Sequence, residues 1–457
     1  MTGTTARGAG VGGAEPNLRL ERNVVSGAVI LVAVLLAAAA ALGGAMALVA
    51  VGVAAYVLVL TALGRERTAT LMLIAAFAMA PAYKGLASSP GATVTPTDAA
   101  LALGLLMLVP SMFEKRLRLP LTYVIGLVLV IVMGLIGTMV AKSPFYSAYQ
   151  MLQWLAMLVV LTFGIALWSP SWRVVRVLMW SYVVGQTASL VKAFISGPTG
   201  GDGRYMGLSH HPNAFAEGGM MAFAGLLYLF HTTKSVRTRL LILVLAAGAV
   251  ESVVLSGSRA TLVVIAALML MVPFVERSAL IGFAGAIVGA LVVFTLPLLT
   301  NASGQGSALN RLAGDKTASA ADSQRTAQLK EGWHLFLHHP VLGNGFDQVN
   351  GFHNLFLEVA AASGVVGLLG YLLILYCLCR PIFGRFPERR LAYVAWAFVG
   401  LTGTVPGMED RTLWMPMALV FLMAAREYQV LTGTTDDDGA EVARRGPSSA
   451  VPVAGPR

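Results

Sequence analysis

Residues 120–141 read PLTYVIGLVLVIVMGLIGTMVA, a run without a charged side chain. About 20 apolar residues in a helix cross the hydrocarbon core of a bilayer, so this stretch alone predicts a membrane-spanning helix. The whole chain continues the pattern: of 457 residues, 57% are hydrophobic and 12% are charged, against about 45–50% and about 25% in soluble domains. This composition excludes a soluble enzyme with a single anchor and a disordered chain. It predicts an all-α polytopic membrane protein.

Apolar runs of similar length recur along the chain and predict 12–14 transmembrane helices. The run from Val24 to Leu63 is too long for the core of a cleaved signal peptide, and we interpret it as two helices that turn at Gly43-Gly44. The other candidates are residues 68–80, 99–113, 120–141, 146–168, 174–195, 212–230, 240–255, 260–275, 279–299, 354–379, 391–408 and 412–425. The runs at 68–80 and 412–425 are short enough for half-length helices, which leaves twelve spans as the alternative to fourteen.

The same runs divide the chain into five segments. They are a cytoplasmic N-terminal tail (1–23), a transmembrane helical bundle (24–299), an extracytoplasmic loop (300–353), C-terminal transmembrane helices (354–431) and a disordered cytoplasmic tail (432–457). The last segment is rich in Gly, Pro, Asp and Ser and has too few large apolar residues to form a core.

Arginines and lysines in the short loops set the orientation of the spans. The clusters at 65–67, 115–118, 234–239 and 380–390 fall on one side, which the positive-inside rule identifies as the cytoplasm. The net charge of +10 has this topological cause. Since the basic residues form no stripe with interleaved aromatic side chains, nucleic acid is not a predicted partner.

The long loop 300–353 is the largest departure of the chain from the membrane, and loops of this length are usually functional or disordered. Its first half, Ala302–Ala321, is rich in Gly, Ser and Ala and is predicted to be mobile. Asp322 or Ser323 can cap a helix that runs to about His338 and stops before Pro340. The helix carries Trp333, Phe336 and Leu337 on one face. We predict a lid on the outer surface; an amphipathic helix that only seals the bundle is the alternative.

Three polar clusters stand at the predicted outer ends of spans. Each cluster can also be explained without a functional role. Arg204 could simply be solvated, the Arg259 side chain could extend to the membrane interface, and His353 could only begin a helix. The clusters are Arg204 with His211, Pro212 and Asn213; Ser256–Arg259; and His353-Asn354 followed by Gly364 and Gly367.

The residue types in these clusters suit glycosyl transfer from a polyprenyl diphosphate sugar. The outer loops show no metal-ligand spacing, the inner loops show no nucleotide-binding loop, and the only cysteines, Cys377 and Cys379, match no metal or redox motif. Arginines bind diphosphate oxygens with forked contacts and stabilise the charge of a leaving group. We therefore predict that Arg204, Arg259 and Arg325 bind the diphosphate. A histidine can accept the proton of an attacking hydroxyl near neutral pH, and we assign this role to His353.

In this order, the clusters resemble the O-antigen ligase and polymerase family of bacterial membrane glycosyltransferases. The matching pieces are Arg204 with Gly207 and His211-Pro212-Asn213, Ser256–Arg259, Arg325 with Trp333 and His339–Gly345, and His353-Asn354 with Gly364 and Gly367. The resemblance covers about residues 200–380 by motif and the whole chain by topology.

The resemblance implies a helical fold of the C-type glycosyltransferases and a glycan donor on undecaprenyl diphosphate. It implies inverting transfer at the periplasmic face of the bacterial inner membrane, without metal or another cofactor, and both termini in the cytoplasm. It carries over Arg204 and Arg259 as diphosphate ligands and His353 as the base. Supporting roles are expected for His211, Asn213, Asn354 and Trp333. The family usually has twelve spans, so an additional pair is expected among the first four helices.

The expected partners are the lipid-linked donor, a glycolipid or glycan acceptor, and membrane lipids.

The sequence leaves alternative functions open. A polymerase of the same family would add repeat units to a like chain, whereas a ligase transfers a whole glycan to a different acceptor. A transporter or flippase would need charges at mid-membrane and symmetry between halves, and the sequence shows no inverted repeat. A purely structural scaffold leaves the ordered arginines and His353 unexplained.

Overall fold

The computed structural model describes residues 44–86, 94–113, 118–200, 203–280, 306–312, 316–349 and 351–433. Within these ranges every regular element is helical and none is a strand. Nine helical segments of the described chain are long and apolar enough to cross a membrane. The predicted class, an all-α polytopic membrane protein, is confirmed.

The helices are numbered here in chain order. They are α1 (Gly44–Leu63), α2 (Arg65–Met79), α3 (Pro96–Phe113), α4 (Leu121–Val140), α5 (Pro144–Leu155), α6 (Thr162–Trp168), α7 (Trp172–Ser196), α8 (Pro212–Thr232), α9 (Val236–Ser256), α10 (Arg259–Glu276), α11 (Ala308–Leu312), α12 (Lys316–His338), α13 (Leu355–Cys379), α14 (Tyr393–Thr402) and α15 (Arg411–Leu431). A 3₁₀ segment extends α2 (Ala80–Leu86), a π-helical turn joins α5 to α6 (Ala156–Leu161), and two 3₁₀ segments lie between α13 and α14 (Arg380–Phe383 and Arg389–Ala392).

Several helices begin where a polar side chain caps the first turn. Ser171, Ser235, Asn354 and Asp410 each accept a hydrogen bond from a backbone N–H of the helix that follows. These N–H groups have no partner within the helix, so the caps fix where each helix starts. Helix α8 begins at Pro212, a residue that fits the first helical position.

The described chain forms two compact units. One comprises Gly44 to Leu73 with Ala102–Leu108, and the other comprises Ile74–Leu101 and the described residues from Val109 onward. All of the predicted site residues lie in the second unit. Within it, α8 is the most enclosed of the candidate spans, with 83% of an 18-residue apolar window buried.

Helices α4 and α13 pack with their backbones in contact. A Cβ on Gly126 would lie 2.5 Å from the carbonyl oxygen of Gly370, and a Cβ on Gly137 would lie 2.3 Å from that of Ala362. Only glycine permits such an approach, which is a common way for membrane helices to associate. The contact holds the helix that begins directly after His353.

The predicted span 391–408 is wrong as a continuous helix. Helix α14 ends at Thr402, and turns and bends follow up to the start of α15. Gly403, Pro406 and Gly407 explain the break, because glycine and proline both disfavour a helix interior. The Trp414 indole Nε1 donates to the carbonyl oxygen of Gly407 at 2.9 Å and fixes the turn.

The start predicted for the loop helix is also wrong. Helix α12 begins at Lys316 and not at Asp322 or Ser323, although it ends at His338 as predicted. The segment 316–321, KTASAA, contains three alanines, the residue with the highest helix propensity. Part of the half-loop that we predicted to be mobile is therefore helical.

Some predictions fall outside the described residues. These are the N-terminal tail 1–23, the first span up to Gly43, nearly all of the span 279–299, and the C-terminal tail beyond Gly433. The total of 12–14 spans therefore stays a prediction.

Candidate functional site

The turn between α9 and α10 carries the first arginine of the site. Gly257 ends α9 with φ +73°, a left-handed conformation that glycine adopts without strain. A Cβ there would lie 2.3 Å from the carbonyl oxygen of Gly306 and 3.0 Å from Nε of Arg204. The tight turn thus begins α10 at Arg259, at the end of an apolar helix.

Arg204 lies against this turn. Its Nε donates to the carbonyl oxygen of Ser256 at 2.6 Å, and one terminal nitrogen donates to Oδ1 of Asn213 at 2.7 Å. The backbone N–H of Tyr205 donates to the carbonyl oxygen of Leu255 at 3.1 Å. The loop before α8 is therefore joined to the end of α9, and the first two predicted clusters are in contact.

Two further arginines come from the segment between α10 and α13. Arg311, in the short helix α11, is 5% exposed and donates from Nη1 to the carbonyl oxygen of Gly257 at 3.0 Å. Arg325 lies in α12, three residues after Asp322, whose carboxylate forms a hydrogen-bonded ion pair with Arg259. The loop helix therefore contacts the α9–α10 turn through this ion pair.

Arg259, Arg311 and Arg325 line one pocket, called here the arginine pocket. Its lining residues are Asn213, Gly257, Ser258, Arg259, Ala260, Arg311, Arg325, Thr404 and Val405. The three arginines are the only charged residues in this lining. Guanidinium groups recognise phosphate and carboxylate oxygens with paired hydrogen bonds, so the pocket suits an anion with several oxygens.

His353 stands at the entry of α13. Its φ of +53° lies in the left-handed region, where histidine is found more often than most residues. Asn354 caps the helix by accepting the Leu357 N–H at 3.0 Å, which gives this predicted residue a structural role. Nδ1 of His353 has no hydrogen-bond partner among the described residues. The imidazole thus keeps one nitrogen that no structural hydrogen bond engages.

The backbone geometry of α13 explains why a glycine is needed at position 364. Gly364 has φ +69° and interrupts α13, and a Cβ there would lie 2.0 Å from the carbonyl oxygen of Val341. At this break the Val365 N–H donates to the carbonyl oxygen of Pro340 at 2.8 Å. The segment after α12 is thereby fixed to the helix that carries His353.

The charges around His353 favour its neutral state. Burial lowers the pKa of His353 from its ordinary value of 6.5, and the positive charge of Arg325 lowers it further. Burial also lowers the pKa of Arg325; Asp322 opposes this effect and Arg259 adds to it. An arginine nonetheless stays protonated in proteins. His353 is therefore a neutral imidazole beside a fixed cation at neutral pH.

His211 is also neutral, and one of its ring nitrogens accepts a backbone hydrogen bond. Burial lowers the pKa of His211 to about 4; the charges of Lys84 and Arg204 act in the same direction, and that of Asp410 opposes them. Its Nδ1 accepts the Asn213 backbone N–H at 3.2 Å, so the proton of the neutral ring is on Nε2. His211 is therefore a hydrogen-bond donor near the arginines.

An ion pair between an exposed lysine and a buried aspartate acts on His211. Lys84 Nζ, in the 3₁₀ segment after α2, lies 2.6 Å from Oδ2 of Asp410. Asp410 also accepts the Thr412 N–H at 2.9 Å and so begins α15. Both charges act on the His211 imidazole. The two residues are 326 positions apart in the chain, and the sequence analysis did not connect them.

Trp333 lies away from the lining of the arginine pocket. Its side chain is 55% exposed and its ring packs against Phe336, with the centroids 5.4 Å apart. The face that was predicted to be apolar is present on α12, but it is largely uncovered.

Sequence reasoning missed Arg311 and the two pocket residues after α14. Arg311 was a single arginine in a stretch dominated by small residues, and no spacing distinguished it. Thr404 and Val405 were assigned to a continuous span, yet the break at Gly403 turns them into the pocket lining. The glycine and proline residues of 403–407 were the available signal.

In the part of the chain that the structure describes, no group of three or more His, Cys, Asp or Glu side chains could hold a metal ion. The model of a family described as O-antigen ligase matches residues 242–372. The matched region runs from α9 into α13 and contains Arg259, Arg311, Arg325 and His353. No curated protein matches the chain.

Proposed function

We propose that this protein belongs to the O-antigen ligase family, whose model matches residues 242–372, and that it transfers a glycan from a polyprenyl diphosphate carrier to an acceptor hydroxyl. The members of this family are membrane glycosyltransferase-like enzymes. The observation that carries the proposal is the arginine pocket beside a neutral histidine, on elements that the family match covers. Undecaprenyl diphosphate is the carrier that the family implies.

In this proposal the arginines bind the diphosphate. Arg259, Arg311 and Arg325 line the pocket, and Arg204 borders it through Asn213 and Gly257. As the bond to the sugar breaks, negative charge grows on the diphosphate. Fixed cations that line the pocket stabilise that charge without having to reorganise. The leaving group departs as polyprenyl diphosphate.

His353 acts as the general base. Its neutral imidazole accepts the proton of the acceptor hydroxyl while the hydroxyl oxygen attacks the anomeric carbon from the face opposite the diphosphate. One carbon–oxygen bond forms as another breaks, so the configuration inverts. The lowered pKa of His353 keeps the ring unprotonated at neutral pH, as a base requires.

The remaining predicted residues support these two groups. Asn213 orients the Arg204 guanidinium, and His211 offers its Nε2–H to a diphosphate or sugar oxygen. Asn354 fixes the start of α13 and thus the position of His353. Trp333 is not assigned to the diphosphate, because it lies outside the pocket lining.

We place the arginine pocket at the periplasmic face of the bacterial inner membrane, with both termini in the cytoplasm. The argument is the alternation of basic loops: Arg277 follows α10 and the arginines of 380–390 follow α13, at the ends opposite to Arg259 and His353. The polyprenyl carrier then approaches from the outer leaflet. The acceptor is a glycolipid or a glycan at the same face.

The test is a reconstituted transfer assay with purified protein, an undecaprenyl diphosphate-linked glycan and envelope extract as acceptor. The first variant is His353→Asn, because asparagine tolerates the left-handed backbone of this position. The matched control is His334→Asn, at an exposed position of α12. We expect the His353 variant to lose transfer by a factor of about 100 or more, since general bases contribute about 10²–10⁴.

The products separate the two activities of the family. One discrete shift of the acceptor on a gel indicates a ligase, and a ladder indicates a polymerase. Equal transfer by the wild type and His353→Asn would remove His353 from the role of base. A wild-type protein that binds the donor but does not consume it would reject the transferase proposal.

A further inference from the structure

One face of helix α12 changes from cationic to apolar along its length. Arg325, Leu329, Trp333 and Phe336 follow each other at spacings of three and four residues, which places them on one side of a helix. Leu337 adjoins the same side. The exposed fractions of Leu329, Trp333 and Leu337 are 38%, 55% and 55%. We call these four apolar residues, 329, 333, 336 and 337, the apolar stripe.

The stripe is open because a neighbouring side of α12 makes the contact with α13. A Cβ on Gly332 would lie 2.8 Å from the ring of Phe352 and 2.9 Å from Leu357, so the helices touch at this glycine. The opposite side of α12 carries Glu331, His334 and His338, all exposed and polar. The apolar stripe therefore lies between a buried contact and a polar surface.

We infer that the apolar stripe binds the first isoprene units of the donor's polyprenyl chain, next to the diphosphate in the arginine pocket. This inference rests on the proposed function for the identity of the ligand. Arg325 belongs to the pocket lining and also begins the side of α12 that the stripe continues. A ligand that occupies both must have a multiply charged anionic head joined directly to a hydrocarbon chain, and a polyprenyl diphosphate has this chemistry.

The dimensions agree with this occupant. At about 1.5 Å per residue, the axis of α12 rises about 18 Å from Arg325 to Leu337. An extended chain of about four isoprene units spans a similar distance. Contact with bulk lipid would need no arginine at the end of the stripe, whereas a bound prenyl diphosphate accounts for both parts. Contact with bulk lipid alone is the competing outcome of the test.

The test compares two probes that need no catalysis: inorganic diphosphate and geranylgeranyl diphosphate, which has the same head with four isoprene units. Their dissociation constants are measured by calorimetry with the full chain in detergent. The variant is Trp333→Ala with Leu337→Ala, both at exposed positions. The matched control is Phe145→Ala with Leu152→Ala, which removes two exposed apolar side chains from α5.

We expect the wild type to bind geranylgeranyl diphosphate more tightly than inorganic diphosphate. The α12 variant should lose about tenfold in affinity for the prenyl probe, from the apolar contact removed, and nothing for inorganic diphosphate. The α5 control should change neither constant. Loss of the prenyl probe by the α12 variant alone supports the inference.

Three results would overturn it: no preference of the wild type for the prenyl probe, unchanged constants in the α12 variant, or an equal loss in the α5 control. Unchanged constants would indicate that the stripe only contacts bulk lipid. Because binding is measured without transfer, the inference can fail while the transfer assay succeeds. Stripe-dependent binding without transfer would instead reject the proposed reaction.

Discussion

Arg259 allows a test of shape at constant charge. Its guanidinium lines the arginine pocket and forms an ion pair with Asp322, and this ion pair fixes the orientation of the planar guanidinium group. A lysine keeps the positive charge but cannot make forked contacts with a diphosphate. We expect Arg259→Lys to lower kcat/KM for the lipid-linked donor by about tenfold or more, since hydrogen bonds to charged groups contribute about 1.5–3 kcal/mol.

Arg277 provides the control for this substitution. It follows the last residue of α10, the helix that Arg259 begins, and lies at the other end of the same span. Arg277→Lys should leave turnover at the wild-type level. Wild-type turnover in Arg259→Lys as well would mean that Arg259 supplies only charge at the membrane interface.

The pH dependence of transfer tests the pairing of His353 with Arg325. A base must be unprotonated, so activity is present above the pKa of His353 and is lost as the pH falls through it. Burial and the Arg325 charge hold this pKa below 6.5, so wild-type activity should persist below pH 6.5. Arg325→Gln removes the cation, the pKa of His353 rises, and the acidic limb of the kcat/KM profile moves to higher pH.

The position of this limb separates the effect on His353 from the loss of a diphosphate ligand, which lowers the rate at every pH. Lys330→Gln removes an exposed charge from another side of α12 and should leave the limb in place. An Arg325→Gln profile that is lower but unshifted would show that Arg325 does not act on the base.

Single residues were predictable where their chemistry was unusual for their surroundings. Arg259 at a predicted membrane depth and His353 ahead of a glycine pair met this condition. In the structure Arg259 pairs with Asp322 of α12, and the charge of Arg325, on the same helix, acts on His353. Arg311 did not meet the condition, because a single arginine among small residues is usually a solvent-exposed loop residue. The ion pair of Lys84 and Asp410 joins two distant parts of the chain, and neither local pattern pointed to the other.

At the scale of elements, the α9–α10 turn depends on Gly257. This residue has φ +73°, and a Cβ would press on the carbonyl oxygen of Gly306 and on Arg204. Gly257→Ala should therefore destabilise the fold by about 1–3 kcal/mol, the usual range for left-handed strain with poor packing, and should displace Arg204. Thermal unfolding in detergent, followed by circular dichroism, measures the change.

Gly64 is the matched control, because it also has positive φ (+79°) but nothing lies within 4 Å of its added Cβ. Gly64→Ala carries the backbone strain without the collision. A melting temperature of Gly257→Ala equal to that of Gly64→Ala would contradict the role assigned to close packing at the turn.

The positions of helices followed from apolar runs, because a helix that crosses a bilayer needs a continuous apolar stretch of sufficient length. Interruptions were harder to predict. The break after Thr402 depends on Gly403, Pro406 and Gly407 within a run that hydropathy alone counts as a span. The early start of α12 depends on alanine propensity in a segment whose small residues also suit a loop. Both errors affected the predicted site. The first left out the pocket residues Thr404 and Val405, and the second placed the start of α12 too late, at Asp322.

At the scale of the whole molecule, the charge arrangement predicts how transfer responds to divalent ions. Diphosphate leaving groups are commonly stabilised by Mg²⁺, which is bound through carboxylates. In the arginine pocket the charged lining consists of Arg259, Arg311 and Arg325. These cations repel a further cation, and in the proposed reaction they bind the diphosphate themselves. We therefore expect EDTA to leave the transfer rate unchanged and added Mg²⁺ to give no increase. Loss of turnover in EDTA that Mg²⁺ restores would show that the guanidinium groups do not supply the charge that the leaving group needs.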